Sequence, residues 1–315
     1  MHAIAYRKHG AIDQLEELER PKPVPQAGEA LIEVKAIGLN PLDYRLRRGE
    51  IGPLTVLNGP RLTGSDFAGL IVETGGDLDG FEIGDRVMGM VNQMFTGVSA
   101  DLITVHQKHL CPCPDNVDDL TAATIPLAAY TAYQALHEQG ELSTGMRVLI
   151  NGASGGVGTY AVQLARISGA EVTAVTSHRN SDWMDSLGAQ HIVDYTQTDF
   201  VELKEHFDIV FDCYGNRSFT KVRPVLSPGG VYITTIPSPR SYAWSIPNGF
   251  RKQKSKVVLV RSRQSDLKNI KDLVENEELK PIIDSHFERD DIHGAYAKLE
   301  SKRARGKISV RMTRD

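Results

Sequence analysis

The sequence predicts an α/β protein in which a doubly wound parallel sheet accompanies a second, β-rich domain. Three observations carry this. From Met1 to about Asp119, apolar residues come in short alternating runs cut by Gly and Pro, as in Ala30-Leu31-Ile32-Glu33-Val34-Lys35-Ala36-Ile37 after Pro21-Lys22-Pro23-Val24-Pro25. From about Leu120 onward, strand-like and helix-like segments alternate, the pattern of a parallel sheet covered on both faces. A glycine-rich turn, Gly152 to Gly158, joins one of those strands to a helix.

Taken in order, Gly75-Gly76, Gly84-Asp85-Arg86-Val87 and Gly97 continue the strand-and-turn texture of the first part. A helix-compatible stretch from Thr121 to Gln139 contains Pro126 and is closed by Gly140. Strands are then expected at Arg147–Ile150, Glu171–Thr176, Ile192–Val193, Asp208–Asp212 and Gly230–Thr235, with helices at about Gly156–Ser168 and Ser181–Leu187. In the first of these helices Val157, Ala161, Leu164 and Ala165 share one apolar face. The tail predicts a helix from about Asp266 through Leu279, an amphipathic stretch to Lys302 and a last strand, Lys307–Met312, with no parallel partner nearby in sequence. That strand is expected to return to the first domain.

The 315 residues allow two domains of ordinary size, and 41% hydrophobic residues supply a sizeable core. With 36 Lys plus Arg against 40 Asp plus Glu, the chain has no global field for a polyanion, which disfavours nucleic acid as the main partner. The basic runs Arg251-Lys252-Gln253-Lys254-Ser255-Lys256 and Lys302-Arg303-Ala304-Arg305 lack interleaved aromatics and read as solvated surface. No apolar run approaches a membrane span, and the first residues, MHAIAYRKHG, have no signal-peptide character, so a cytoplasmic location is expected. Three cysteines make no disulfide framework, Cys111-Pro112-Cys113 is too tight for a usual zinc pair, and ten histidines stand without metal spacing. No metal site is expected.

Asn151-Gly152-Ala153-Ser154-Gly155-Gly156-Val157-Gly158 is the most informative segment. Small residues are needed there because the chain turns tightly, its N–H groups meet a pyrophosphate and the helix must lie close to the sheet. At the end of the next strand, an acidic residue would select NAD by its ribose hydroxyl. This chain instead reads Thr176-Ser177-His178-Arg179-Asn180, where a hydroxyl and a guanidinium suit a 2′-phosphate and no carboxylate stands to repel it. NADPH is the expected cofactor.

These residues resemble the zinc-free quinone oxidoreductase (zeta-crystallin-like) branch of the medium-chain dehydrogenase/reductase superfamily over essentially the whole chain. The carriers are Gly38-Leu39-Asn40-Pro41-Leu42-Asp43-Tyr44, Gly64-Ser65-Asp66-Phe67-Ala68-Gly69, Gly84-Asp85-Arg86-Val87, the glycine turn, Ser186-Leu187-Gly188-Ala189 with Asp194-Tyr195, and Gly306-Lys307-Ile308. The resemblance implies a GroES-like catalytic domain over 1–120 and 265–315, a Rossmann domain over 121–264, and an active site in the cleft between them. Where zinc-dependent relatives hold their metal, this chain has Asn40, Ser65 and, by approximate alignment, Leu127, a poor set for zinc.

The implied activity is NADPH-dependent hydride transfer to a quinone or an α,β-unsaturated carbonyl, which needs no metal because the acceptor spreads its charge as an enolate. Asn40 is the candidate hydrogen-bond donor to the acceptor carbonyl, and Tyr44 a candidate for stacking or proton donation. Asp43 and Asp66 are expected to organise the cleft rather than move protons. Gly152, Ala153, Ser154, Gly155, Gly156 and Val157 would hold the pyrophosphate, Ser177 and Arg179 the 2′-phosphate, and Tyr195 would approach the adenosine phosphate. Thr131, Ile236 and Pro237 would border the nicotinamide. Tyr242 and Trp244 would either cap an aromatic acceptor or pack against a partner. Homodimerisation through strand Lys256–Val260 is what the family suggests. A different class of function, a crystallin-like or RNA-binding protein that keeps the cofactor with little turnover, is the competing expectation.

Overall fold

Glycine and proline punctuate the first strands much as the sequence places them. The computed structural model describes residues 1–51, 59–94, 96–237, 241, 244 and 252–313. The chain begins with β1 (His2–Tyr6), β2 (Glu16–Glu19) and the long β3 (Glu29–Leu39), which runs into helix α1 (Pro41–Arg47). Then come β4 (Arg61–Leu62), β5 (Asp66–Thr74), β6 (Arg86–Met90), β7 (Leu102–His106), β8 (Leu110–Pro112) and the helices α2 (Asp119–Ala122) and α3 (Pro126–Tyr133). The middle of the chain supplies β9 (Arg147–Asn151), α4 (Gly156–Ile167), β10 (Glu171–Thr176), α5 (Ser181–Ser186), β11 (His191–Asp194), β12 (Phe207–Asp212), α6 (Phe219–Val222), β13 (Leu226–Thr234) and β14 (Lys254–Val257). The tail adds α7 (Gln264–Glu275), β15 (Ile283–Glu288), α8 (Ile292–Glu300) and β16 (Lys307–Arg311).

Two compact units result. The first comprises Met1–Leu127, Ser262–Glu277 and Pro281–Asp315, the second Ala128–Arg261 with Glu278–Lys280. The junctions expected at 120/121 and 264/265 compare with changes of unit at Leu127/Ala128 and Arg261/Ser262.

In the first unit a sheet of order β15-β16-β3-β5-β6-β8, with β7 also on β3, accompanies the small sheet β2-β1-β4. Ile32, Ile37, Leu39, Phe67, Val87, Tyr296 and Ile308 belong to its core. Strand β16 pairs antiparallel with β3, so the tail does return to the first unit. It also pairs parallel with β15, which corrects the expectation of no nearby parallel partner. Cys111 and Cys113 lie in and just after β8, both buried, and burial pushes each thiol up to about 12, so neither is a reactive thiolate.

The second unit is one parallel sheet of order β11-β10-β9-β12-β13-β14. This is the doubly wound order, reversing between β9 and β12. Its core includes Leu149, Val175, Val210, Phe219 and Tyr232. Helix α4 buries Tyr160, Val162 and Gln163 as well as Ala161, Leu164 and Ala165, more than the single apolar face expected. The helix expected from Thr121 to Gln139 is broken instead: α2 ends at Ala122, Pro126 opens α3, and Gln134–Gln139 winds as a π-helix. Proline suits a first helical position, where its missing N–H costs nothing.

Candidate functional site

At the carboxyl end of β9, a strand whose Val148, Leu149 and Ile150 are fully buried, the chain turns through Gly152 at φ +81. Gly155 caps α4, which begins at Gly156. A Cβ on Gly158 would lie 2.2 Å from the Gly152 carbonyl oxygen, so only glycine lets the helix approach the turn this closely. The free N–H groups of the first turn of α4 make the mouth of the turn an anion site. Gly152, Ala153, Ser154, Gly155, Gly156 and Val157 thus form one cradle whose geometry fits a pyrophosphate.

Ser177 follows β10 directly, half-buried, and its Oγ accepts from the Asn180 side chain at 3.3 Å, while Arg179 is exposed. The Tyr195 N–H donates to the Thr176 carbonyl at 3.1 Å, which brings Tyr195, itself 61% exposed, to the end of β10. Strand pairing sets Asp194 directly across from Thr176. A carboxylate therefore does stand beside the Ser177–Arg179 segment, contrary to the reading of that segment alone. Bonds to Oδ1 from the Thr196 N–H (3.0 Å) and hydroxyl (2.8 Å) hold its carboxyl below the usual range, while Oδ2 has no hydrogen-bond partner.

Thr131 is buried in α3, and Ile236 and Pro237 follow β13, half-buried and exposed. Trp244 is partly buried and packs against the core of its own unit, its ring centroid 5.2 Å from that of Phe219, which is neither of the two roles expected for it. Tyr242 lies outside the described residues.

In the first unit, Asn40 stands where β3 meets α1 and heads a buried polar cluster. Its Nδ2 donates to Asp66 Oδ2 at 2.9 Å and to the Gly38 carbonyl at 3.3 Å, and its Oδ1 accepts from Lys307 Nζ at 2.6 Å. Lys307 Nζ also donates to the Leu39 carbonyl at 2.9 Å and lies 3.6 Å from Asp66 Oδ2. Asp66 Oδ1 accepts from the Leu127 N–H at 3.0 Å. Asp43 Oδ2 accepts from the Asn40 N–H at 2.8 Å, while its Oδ1 is buried with no hydrogen-bond partner. Burial pushes the Asp43 carboxyl up to about 7 and raises Asp66, and it lowers the Lys307 ammonium, each partly opposed by the neighbouring opposite charge. A hydrogen bond from Asn40 to a bound carbonyl would require one of its present partners to be given up. Tyr44 is buried in the same core, with the Arg48 guanidinium 5.3 Å over its ring.

Sequence reasoning did not single out Lys307 or Asp212 as site residues. Lys307 is a cation inside a buried strand, and Asp212 ends the apolar run Phe207–Asp212 just before Gly215. A charge in a buried position is the signal that points to such residues. The zinc positions hold an amide committed to Lys307 and a hydroxyl, Ser65, that donates to Gln93 at 3.1 Å. That donor set does not fit zinc. Among the described residues, no three His, Cys, Asp or Glu side chains gather as a metal site.

A doubly wound sheet with a phosphate-binding turn, in a chain whose ends build a second β-rich unit, defines an NAD(P)-dependent oxidoreductase of the alcohol-dehydrogenase-like architecture. Residues 26–163 match the alcohol dehydrogenase GroES-like domain and residues 187–310 the zinc-binding dehydrogenase domain. The chain is 32% identical over 323 residues to the chloroplast envelope quinone oxidoreductase homolog of Arabidopsis thaliana, covering 98% of both chains. It is equally 32% identical over 326 residues to an NADPH-dependent alkenal/one oxidoreductase of the same plant, covering 98% of this chain and 79% of the relative. Among solved structures, the quinone oxidoreductase from Coxiella burnetii matches with a TM-score of 0.91 at 28% identity over 99% of each chain. The chain belongs to the medium-chain dehydrogenase/reductase superfamily, in its quinone oxidoreductase branch, and is an enzyme of the oxidoreductase class. Among the described residues, no helix is long and apolar enough to cross a membrane.

Proposed function

We propose that this protein reduces a quinone or an α,β-unsaturated carbonyl with NADPH. The observation that carries the proposal is the turn from Gly152 to Gly158, where two glycines are required by backbone angle and by close approach. The names of the two Arabidopsis relatives support the acceptor class.

In this reading, N–H groups of the Gly152–Val157 cradle bind the pyrophosphate, and Ser177 and Arg179 hold the 2′-phosphate, with Tyr195 alongside. Thr131, Ile236 and Pro237 orient the nicotinamide. Bound there, NADPH supplies a hydride to the electrophilic carbon of the acceptor. Asn40 exchanges its longest bond, the 3.3 Å contact to Gly38, for the acceptor carbonyl oxygen, while Lys307 and Asp66 keep its amide oriented. Tyr44, 7% exposed and covered by the Arg48 guanidinium, supports the core in this reading rather than stacking on the acceptor. We also propose a homodimer joined through β14, the edge strand of the parallel sheet, which light scattering tests directly.

Steady-state oxidation of NADPH and NADH with 1,2-naphthoquinone and with a 2-alkenal tests the main proposal. Turnover with at least one acceptor and a preference for NADPH are expected. Saturable cofactor binding without turnover on either acceptor would point to a binding role instead.

A further inference from the structure

We propose that Asp212 is a positioning residue that sets the width of the crevice between β9 and β12 and so places the dinucleotide. This rests on the cofactor reading above and extends it to a residue with no part in the phosphate turn. Strands β9 and β12 are neighbours at the point where the strand order reverses, which is where a doubly wound sheet binds its ligand. Asp212 and Asn151 end these strands in register with each other.

The Asp212 side chain is fully buried and collects donors from four places. Its Oδ1 accepts from Asn151 Nδ2 and from the Gly215 N–H, both at 2.7 Å. Its Oδ2 accepts from the Arg217 N–H at 3.2 Å and faces the Tyr232 hydroxyl at 3.0 Å, which shares its single hydrogen with the Arg217 carbonyl at 2.7 Å. One carboxylate therefore ties together the end of β9, the loop after β12, and β13. Burial and the nearby Asp212 charge also keep the Cys213 thiol and the Tyr232 hydroxyl protonated, so the knot is not loosened by their titration.

What the knot holds is a wedge. Cys213 N–H donates to the Asn151 carbonyl at 3.0 Å, and a Cβ on Gly152 would stand 3.2 Å from the Tyr214 Cβ. On the far side Gly215, at φ +76, lies so close to Ile236 that a Cβ there would meet Cγ1 at 2.0 Å. The segment from Tyr214 to Gly215 thus spaces the phosphate turn from Ile236 with no slack. The covalent links from pyrophosphate to nicotinamide limit a dinucleotide's reach, so this spacing decides whether both halves can be held together in one conformation.

N–H groups face both carboxylate oxygens, so Asp212→Asn keeps the volume but sets an N–H against an N–H whichever way its amide turns. The test is calorimetric titration of the wild type, Asp212→Asn and Tyr232→Phe with NADPH and with 2′,5′-ADP, a fragment that lacks the nicotinamide half; ADP replaces the fragment if the wild type prefers NADH. Asp212→Asn is expected to weaken NADPH about tenfold or more while leaving the fragment unchanged. Tyr232→Phe is expected to weaken NADPH by about fivefold with the same selectivity. Unchanged NADPH affinity in Asp212→Asn, or an equal loss for NADPH and the fragment, overturns the proposal. A wild type that binds no dinucleotide overturns the cofactor reading, and this inference with it. Should Asp212→Asn fail to fold by circular dichroism, Tyr232→Phe decides alone: selective loss of NADPH upholds the proposal, and no selective loss overturns it.

Discussion

Asp212 in the second unit and Asp43 in the first are both fully buried, yet donors surround one and leave the other with a bare oxygen. The difference follows from where each sits. A strand end followed by a tight loop turns several N–H groups toward one point, and Asp212 receives the Gly215 and Arg217 N–H groups this way. The third position of a short helix offers its side chain only the N–H of the preceding cap, here Asn40. Burying an ionised carboxylate is costly unless hydrogen bonds or opposite charge replace water. The second unit answers with hydrogen bonds and gains a rigid anchor. The first shares one cation, Lys307, between two carboxylates, and its cluster stays open to protonation.

The largest effect should come from removing that cation. Lys307→Met leaves Asp66 and Asp43 buried without their counter-charge, and a loss of about 3–5 kcal/mol in urea unfolding is expected. Adding Asp66→Asn should restore part of it, because a neutral partner no longer needs the ammonium. A loss under about 1 kcal/mol for Lys307→Met would mean the cluster is already neutral and the contrast between the units is false. Next comes Asp212→Asn, expected to cost about 1–3 kcal/mol through donors left facing each other. Equal stability of this variant and the wild type would show that the second unit does not rely on the carboxylate.

These two clusters were legible in the sequence to different degrees. The phosphate turn was readable because its demands fall on residue type: positive φ at Gly152 and a 2.2 Å approach at Gly158 leave only glycine. The end of β12 was readable as a strand, but two of the four donors that meet Asp212 are backbone groups, which carry no signature, and the other two come from Asn151 and Tyr232 on neighbouring strands. Asn40 and Lys307 stand 267 residues apart, and nothing local announces their contact. Strand β15 was missed because Ile283-Asp284-Ser285-His286-Phe287-Glu288 is a half-exposed edge strand, and its parallel pairing with β16 is set by tertiary contacts. Asp194 was in view, but only strand pairing shows that it stands across from Thr176.

A smaller effect, opposite in sign, should come from Asp43. Its folded carboxyl titrates at about 7, above the usual 3.8, so the folded state binds more protons than the unfolded chain between those values. The associated stability is fully present below about pH 4 and is lost as the pH rises through 7. Asp43→Asn keeps an oxygen for the Asn40 N–H and has no charge to bury. Its melting temperature should match the wild type near pH 4 and exceed it at pH 8, where the wild type must bury the ionised carboxylate. Parallel melting curves across that range would place the ionised carboxylate in a better-solvated setting than its bare Oδ1 implies.

The smallest effect on stability, with a marked effect on ligand choice, belongs to Arg179. Its side chain is exposed, so Arg179→Ala should change folding stability by less than about 0.5 kcal/mol. A charge-assisted bond to a 2′-phosphate contributes about 1.5–3 kcal/mol, so NADPH affinity should fall by roughly ten- to a hundredfold while NADH affinity stays the same. Asp194, one strand over, makes the comparison sharper. Both Thr196 bonds fall on its Oδ1 and fix how the carboxylate is turned, while its Oδ2 has no hydrogen-bond partner. Thr196→Val removes the hydroxyl that holds it, and should raise NADH affinity relative to NADPH. Titration of both cofactors against both variants separates the two causes: a selective loss of NADPH in Arg179→Ala assigns the preference to the guanidinium, and a gain of NADH in Thr196→Val assigns part of it to the restrained carboxylate.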